Sequence, residues 1–537
     1  MHKNKSVNAH NFAMIPRADI PRSAFRQQSA HKTTFNGSDL IPIYVDEVLP
    51  GDTMKLRMTA FGRLATPITP VMDNLWLETF WFFVPNRLIW DNWQKFMGER
   101  TNPGDSTSYV IPQRVCPAGG YQPLTIYDYM GLPTAGQITG GNTYSHNTLP
   151  LRAYNLIWNE WFRDENLQNS VSVPTGDGPD TAVTYAIKKR GKRPDYFTSA
   201  LPWPQKGESI MLPLGTTAPI VPSAPNVGPT FKGIVTGKVY GKLWAQNAIN
   251  PANITSETGT GVGEGLAWIN SGLVADLSAA TATTINQIRQ SFQVQKLLER
   301  DARGGTRYTE ILLSHFGVRS PDARLQRPEY LGGGRQLINM NPVAQTSETS
   351  TVGALGSLAG VGTVLKTNDG FSQSFVEHGY VIGLMNVRAD ITYQQGLRKM
   401  WSRSTRYDFY FPVFAHLGEQ AVLNKEIYCK GVAADNDVFG YQERWAEYRY
   451  RPSMITGLFR STNNTPPIDF WHYAQLFTSL PTLNSTFIED ATNSVIERTT
   501  AVGAAAGGQQ IIMDIFFDNM LARSMPMYSV PGLIDHF

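Results

Sequence analysis

Cysteine is almost absent from this sequence: its 537 residues include two, Cys116 and Cys429, far apart along the chain. That excludes a disulfide scaffold and any cysteine-based zinc cluster, and it suits assembly in a reducing cytoplasm. Charge is scarce as well. Asp, Glu, Lys and Arg make up 17% of the chain, below the roughly 25% of an ordinary soluble domain. Much of the outer surface is therefore expected to be covered by neighbours. The net charge of +3 is too small to argue for nucleic acid by itself. No apolar run approaches the ~18 residues of a membrane span; the richest, Leu75 to Val84, is short and interrupted by Glu78. The first residues carry no apolar core of a secretory leader. Catalytic signatures are missing too. Gly233 to Lys238 is one residue short of a P-loop and lacks its Ser/Thr, Gly259 to Gly265 does not fit GxGxxG, and neither HExxH nor GxSxG occurs. The nine histidines are dispersed. No cofactor, metal or enzymatic activity is expected.

What is plentiful is glycine (47), proline (34) and aromatic residues (11%). That balance suggests strands joined by long ordered loops. Met54, Leu56, Met58 and Ala60 alternate with Lys55, Arg57 and Thr59, the period of a half-buried strand. Leu40 to Leu49 precedes it across a Pro50-Gly51-Asp52 turn. Leu75 to Val84 reads as a strand buried on both faces, and Tyr380 to Tyr393, Tyr407 to Pro412, Met454 to Phe459 and Ile511 to Phe517 read as further strands. Helices are fewer. Leu151, Tyr154, Trp158 and Trp161 recur at helical spacing behind Pro150, as do Ile285, Ile288, Phe292 and Leu298. A third helix, Tyr308 to Phe316, stops at Gly317, and short helical pieces are expected at Leu397 to Ser402 and Phe470 to Phe477. Gly353 to Gly362 reads as a loop.

Residues 1–39 form a basic, polar segment interrupted by Pro16 and Pro21, read as an extended arm. Between residues 205 and 290 the chain turns to Gly, Pro, Ser, Thr and Ala, and charges thin out; this is read as one large insertion. The body is then 40–204 with 291–537. Strands at both ends of that body suit a barrel or sandwich closed by distant segments.

Two basic groups are candidates for contact with DNA or with neighbouring subunits. One lies in the arm, where residues 1–35 carry Lys3, Lys5, Arg17, Arg22, Arg26 and Lys32 against the single acid Asp19. The other is Lys188, Lys189, Arg190, Lys192 and Arg193, the densest cluster on the chain. Phosphate contacts by such residues would be nonspecific and salt-sensitive. Trp76, Trp81, Trp158 and Trp161 could offer stacking platforms for single-stranded DNA, but their strand or helix spacing favours packing.

Five long, aromatic-rich blocks carry a resemblance: MDNLWLETFWFFVPNRLIWDNW (72–93), LPLRAYNLIWNEWFRDENLQ (149–168), RPDYFTSALPWPQKG (193–207), LLERDARGGTRYTEILLSHFGV (297–318) and RWAEYRYRPSMITGLFRS (444–461). Together they resemble the major capsid protein of microviruses, in the gokushovirus branch, and they span nearly the whole chain. The resemblance implies a mainly β fold, an eight-stranded antiparallel jelly roll with long loops, a few helices and a large insertion. It implies self-assembly into a T=1 icosahedral shell around circular single-stranded DNA, with the 205–290 insertion building a protrusion at each threefold axis for contact with a host cell-surface receptor. Implied partners are further copies of the chain and the phage's internal scaffolding, DNA-packaging and pilot proteins, in a virion assembled in the bacterial cytoplasm. The residues alone leave two alternatives: a carbohydrate-binding or carbohydrate-active β-sandwich, and a dedicated single-stranded DNA-binding protein.

Overall fold

Alternation decides the first sheet. In the computed structural model, Met54, Leu56, Met58 and Ala60 are buried while Lys55, Arg57, Thr59 and Phe61 face outward, along strand β3 (Thr53–Leu64). The structure describes residues 21–180, 185–208, 285–349, 354–463, 468–490, 494–501 and 508–528, together with residue 210 and short pieces between 220 and 275. The chain divides into two compact units: Met1–Pro204 with Arg303–Phe537, and Gln205–Ala302.

The first unit is built on eight long strands: β1 (Arg22–Phe35), β2 (Asp39–Val48), β3, β4 (Leu75–Pro85), β5 (Glu329–Leu337), β6 (Leu358–Ser374), β7 (Gly379–Ala389) and β8 (Ile511–Ser524). They form two antiparallel sheets. One has the order β1-β8-β3-β6, extended by Asn339–Ala344, and the other β5-β4-β7-β2, extended by Lys188–Lys189. Strands far apart in sequence are neighbours, since β8 lies between the edge strand β1 and β3. This interleaving of distant strands is consistent with a jelly roll. Of the segment read as an arm, residues 21–39 are described, and Arg22–Phe35 pairs with β8 along its whole length.

Apolar side chains from the facing sides of both sheets fill the space between them. Met54, Leu56 and Met58 of β3 and Ile515 and Phe517 of β8 share one core with Leu77, Trp81 and Phe83 of β4 and Val381 and Met385 of β7. Trp81 sits at its centre, its ring 5.9 Å from Phe371, 6.3 Å from Phe517 and 6.0 Å from Tyr44. The opposite faces of β4 and β7 are buried too. Phe82, Val84, Ile382 and Leu384 pack under helix α1 (Leu149–Ile157) through Leu151, Tyr154 and Ile157. Two covered faces explain why Leu75 to Val84 reads as a continuous apolar run. Pro150 lies in the first turn of α1, where its missing N–H costs nothing. Tyr308–Ile311 continues into a wider turn that ends at Gly317, whose φ of 69° caps it.

Some expectations fail. Tyr407 to Pro412 and Met454 to Phe459 are not strands but loop, with short 3-10 turns at Arg406–Asp408, Pro412–Phe414 and Gly457–Phe459. Their apolar residues mimic a buried strand, yet most lie at the surface, and they pair with no strand among the described residues. Leu397 to Ser402 holds a 3-10 turn (Lys399–Ser402). Phe470 to Phe477 holds the end of another (Asp469–Trp471), then the two-residue strand Ala474–Gln475. Leu358 to Gly362, read as part of a loop, begins β6. Its glycines serve close approach, since a Cβ at Gly360 would lie 2.8 Å from the Thr69 carbonyl and one at Gly362 2.8 Å from Leu64 Cβ.

The second unit contains short antiparallel pairings. Thr230–Gly233 lies between Val239–Tyr240 and Leu266–Asn270, Leu243–Ala245 pairs with Ile254–Ser256, and Ile220–Pro222 pairs with Leu273–Ala275. Most of the 20-residue helix α2 (Ile285–Gly304) belongs to it.

Candidate assembly and nucleic-acid surfaces

Because strand side chains alternate, the register of the first sheet fixes what its outer face carries. β8 pairs Ile512 with Arg63, Asp514 with Phe61, Phe516 with Thr59, Asp518 with Arg57 and Met520 with Lys55. On its other side it pairs Asp514 with Lys32 and Met520 with Arg26. All of these side chains are on the face opposite the core. Apolar groups are uncovered on it: Phe61 is 47% exposed, Phe516 44% and Ile512 54%. Across β1, β3 and β8 the same face holds Arg22, Arg26, Lys32, Lys55, Arg57 and Arg63 against Asp514 and Asp518 alone. An antiparallel sheet with a solvated face ordinarily presents polar side chains there. A basic face studded with large apolar groups is instead the composition of a surface that meets a partner.

The structure thus sets Arg22, Arg26 and Lys32 on this face. Arg26 grips Asp518 with two hydrogen bonds of 2.8 and 2.9 Å, and Lys32 meets Asp514 at 3.1 Å. The side-chain hydrogen bond from Arg26 holds the Asp518 carboxyl below its usual range. Arg22 reaches the Gly51 carbonyl and Thr53 Oγ1. Lys3, Lys5 and Arg17 lie outside the described residues.

The second basic group is engaged within the chain. Lys189 pairs with Asp39 at 2.6 Å, and Lys188 Nζ lies 5.7 Å from the Trp158 ring. Arg190 meets Glu78 and stacks 4.4 Å from the Phe80 ring. Arg193 pairs with Asp390 at 2.7 Å and with Glu78 at 3.4 Å, and Arg388 joins Glu78 at 3.1 Å. Burial pushes the Glu78 carboxyl up, but these three guanidiniums outweigh it and hold the group below its usual range. Glu78, which interrupts the apolar run of β4, is therefore the hub of a buried ionic cluster. Lys192 is buried, donates to Gln475 Oε1 at 2.6 Å and lies 4.3 Å from the Phe487 ring; burial draws its amine down to about 8.

The four tryptophans pack. Trp81 and Trp158 are buried, Trp76 has Arg193 5.2 Å and Arg335 4.8 Å from its ring, and Trp161 has Arg327 3.9 Å above its ring.

A further surface was not singled out from the sequence. Residues 397–417 and 444–460 lie beside each other, and their portions 397–403 and 447–460 line a cleft of about 720 Å3 together with Tyr196, Phe197, Tyr393 and Glu426. Its walls include Trp401, Tyr448, Tyr450 and Met454 with Arg398, Lys399, Arg403, Arg449, Arg451 and Arg460. Trp401 is 69% exposed. Some of the cations have structural partners: Lys399 meets Glu426 at 3.3 Å, Arg449 meets Glu443 at 2.9 Å, and Arg403 pairs with Glu447 while stacking 4.3 Å from the Tyr448 ring. Tyr450 stacks on Tyr196 at 5.3 Å and 6°. Arg398, Arg451 and Arg460 form no ion pair among the described residues. The signal was present in sequence as arginines interleaved with aromatic rings, eight basic residues against Asp408 and Glu447 in these two stretches. Strand-like apolar content had obscured it. Among the described residues, no group of three His, Cys, Asp or Glu could hold a metal ion, and no helix is long and apolar enough to cross a membrane.

Comparison with known proteins gives a consistent match. The family model described as capsid protein (F protein) covers residues 13–533. The chain is 50% identical over 537 residues to capsid protein VP1 of Bdellovibrio phage phiMH2K, with 99% of each chain covered. It is 42% identical over 601 residues to capsid protein VP1 of Chlamydia phage 1 and 37% identical over 567 residues to that of Spiroplasma virus 4, again over 99% of each.

Proposed function

This chain belongs to the phage capsid protein (F protein) family, and from that premise we propose that it is the coat subunit of a small icosahedral bacteriophage, closing a T=1 shell around single-stranded DNA. Its role is structural, as a self-assembling component of the virion. The observation that carries the reading is the uncovered face of the β1-β8-β3-β6 sheet. Phe61, Ile512, Phe516 and Met520 are left in water by the single chain, and burial against a partner recovers about 25 cal/mol for each Å2 of apolar area. Obligate interfaces of this kind remove about 2,000–5,000 Å2 or more. Stability then belongs to the shell, and the isolated subunit is weakened by the surface it leaves unsatisfied.

The 205–290 insertion is the region assigned to the host surface, because its weakly charged, Gly/Ser/Thr-rich composition sets it apart from the body. Internal scaffolding, packaging and pilot proteins complete the partners such a shell requires. Electron microscopy and light scattering of the purified full-length chain test the assembly reading. Uniform closed particles are expected, and a monodisperse monomer at high concentration overturns it. Deleting 210–280 is expected to spare particles and abolish adsorption; retained adsorption removes the host role.

A further inference from the structure

We propose that the cleft between residues 397–403 and 447–460 holds the packaged strand, with one single-stranded DNA base stacked on Trp401 and the adjoining phosphates on Arg398, Arg451 and Arg460. The proposal rests on the reading that the shell encloses single-stranded DNA, and it names where that strand is gripped.

Three observations converge on this ligand. First, the cations divide into two sets. Lys399, Arg403 and Arg449 are neutralised by Glu426, Glu447 and Glu443, so they hold the walls. The guanidiniums of Arg398, Arg451 and Arg460 have no such carboxylate among the described residues and remain available to an anion. Second, the Trp401 indole is largely open to water. An exposed indole beside free guanidiniums suits a ligand that offers a flat π-face and a negative charge one bond-chain apart, as a nucleotide does. Third, the cleft volume of about 720 Å3 falls within the ~300–1,000 Å3 of sites that enclose a small molecule. It therefore takes one or two nucleotides rather than a duplex, whose bases are already stacked on each other. Every base has a π-face, so the site would be indifferent to sequence, as a wall that must hold any stretch of a genome requires. A second copy of the chain is a poorer occupant, since the sheet face it leaves uncovered is itself basic.

Ultraviolet cross-linking of DNA-filled particles, followed by peptide mapping, tests this directly. Adducts are expected on peptides carrying Trp401 or Tyr448. Adducts confined to other regions overturn the cleft while sparing the enclosure reading; particles that contain no DNA overturn both. A full-length variant combining Trp401→Ala, Arg398→Gln, Arg451→Gln and Arg460→Gln gives a second measurement. Its shells are expected to form with reduced DNA content. Its binding to an oligothymidylate should show a log–log salt slope shallower by about 2, the loss of three phosphate contacts at about 0.7 each. An unchanged slope with unchanged DNA content overturns the proposal. Loss of shells with an unchanged slope assigns the cleft to subunit contact instead, and also overturns it. Should the variant fail to fold, the adduct map of the unmodified particle decides.

Discussion

Arg152 and Asp180 meet in two hydrogen bonds, Nε to Oδ2 at 2.8 Å and Nη2 to Oδ1 at 2.6 Å, with both side chains buried. The third nitrogen of Arg152 donates to the Ile89 carbonyl at 2.9 Å, and Tyr185 donates to Asp180 at 2.8 Å. One guanidinium on α1 thereby fixes the loop that follows it against the helix. Removing a single partner strands the other as a buried charge. Arg152→Met is expected to cost about 3–5 kcal/mol, and Arg152→Met with Asp180→Leu distinctly less. Urea unfolding of the full-length chain measures both; equal losses would refute the asymmetry.

The core between the sheets depends on Trp81. Its side chain is fully buried against Phe371 and Phe517, so truncation leaves a large cavity. Trp81→Ala is expected to cost about 3–5 kcal/mol and to lower the yield of particles. Trp81→Phe should recover much of that. A thermal scan of the two variants ranks them.

Lys192 predicts a dependence on alkaline pH. Its folded-state amine titrates near 8 because it is buried, whereas in an unfolded chain it titrates at about 10.4. Between those values the unfolded chain holds the proton more tightly, so stability rises with pH through that window. Below about pH 8 both states carry the proton, and this residue contributes no slope. Lys192→Met should abolish its share of the rise. Denaturant midpoints taken from pH 7 to 10 on both proteins give the difference directly, and parallel curves would contradict the assignment.

The uncovered sheet face predicts a separation of folding from assembly. Phe516 and Ile512 are already half in water within one chain. Phe516→Asp or Ile512→Asp should therefore change subunit stability by no more than about 0.5 kcal/mol, yet prevent closed particles from forming. Circular dichroism with negative-stain microscopy separates the two effects. Normal particles from both variants would remove this face from the assembly contacts.

Local rules determined a good deal from the sequence alone. Period-two alternation located β3, the unbroken apolar run located β4, and Pro150 and Gly317 bounded helices, because each signal depends only on neighbours along the chain. The five aromatic blocks carried the family. Long-range pairing was another matter. Nothing in residues 22–35 announces that they lie beside 511–524, so Arg26 and Lys32 could be counted as basic without their partners Asp518 and Asp514 being known. The Lys188 to Arg193 cluster looked like a surface patch, and only the fold brings Glu78, Asp39 and Asp390 to it. The apolar stretches at 407–412 and 454–459 resemble strands in sequence because composition does not tell a buried side chain from an exposed one.

The sequence by itself determined the coat-protein family, the strand-rich class and the positions of the most periodic elements, since periodicity and block identity are local properties. Tertiary structure alone decided which cations are neutralised and which are free. Neutralisation requires a carboxylate within a few ångströms in space, and the two halves of each pair lie up to several hundred residues apart along the chain.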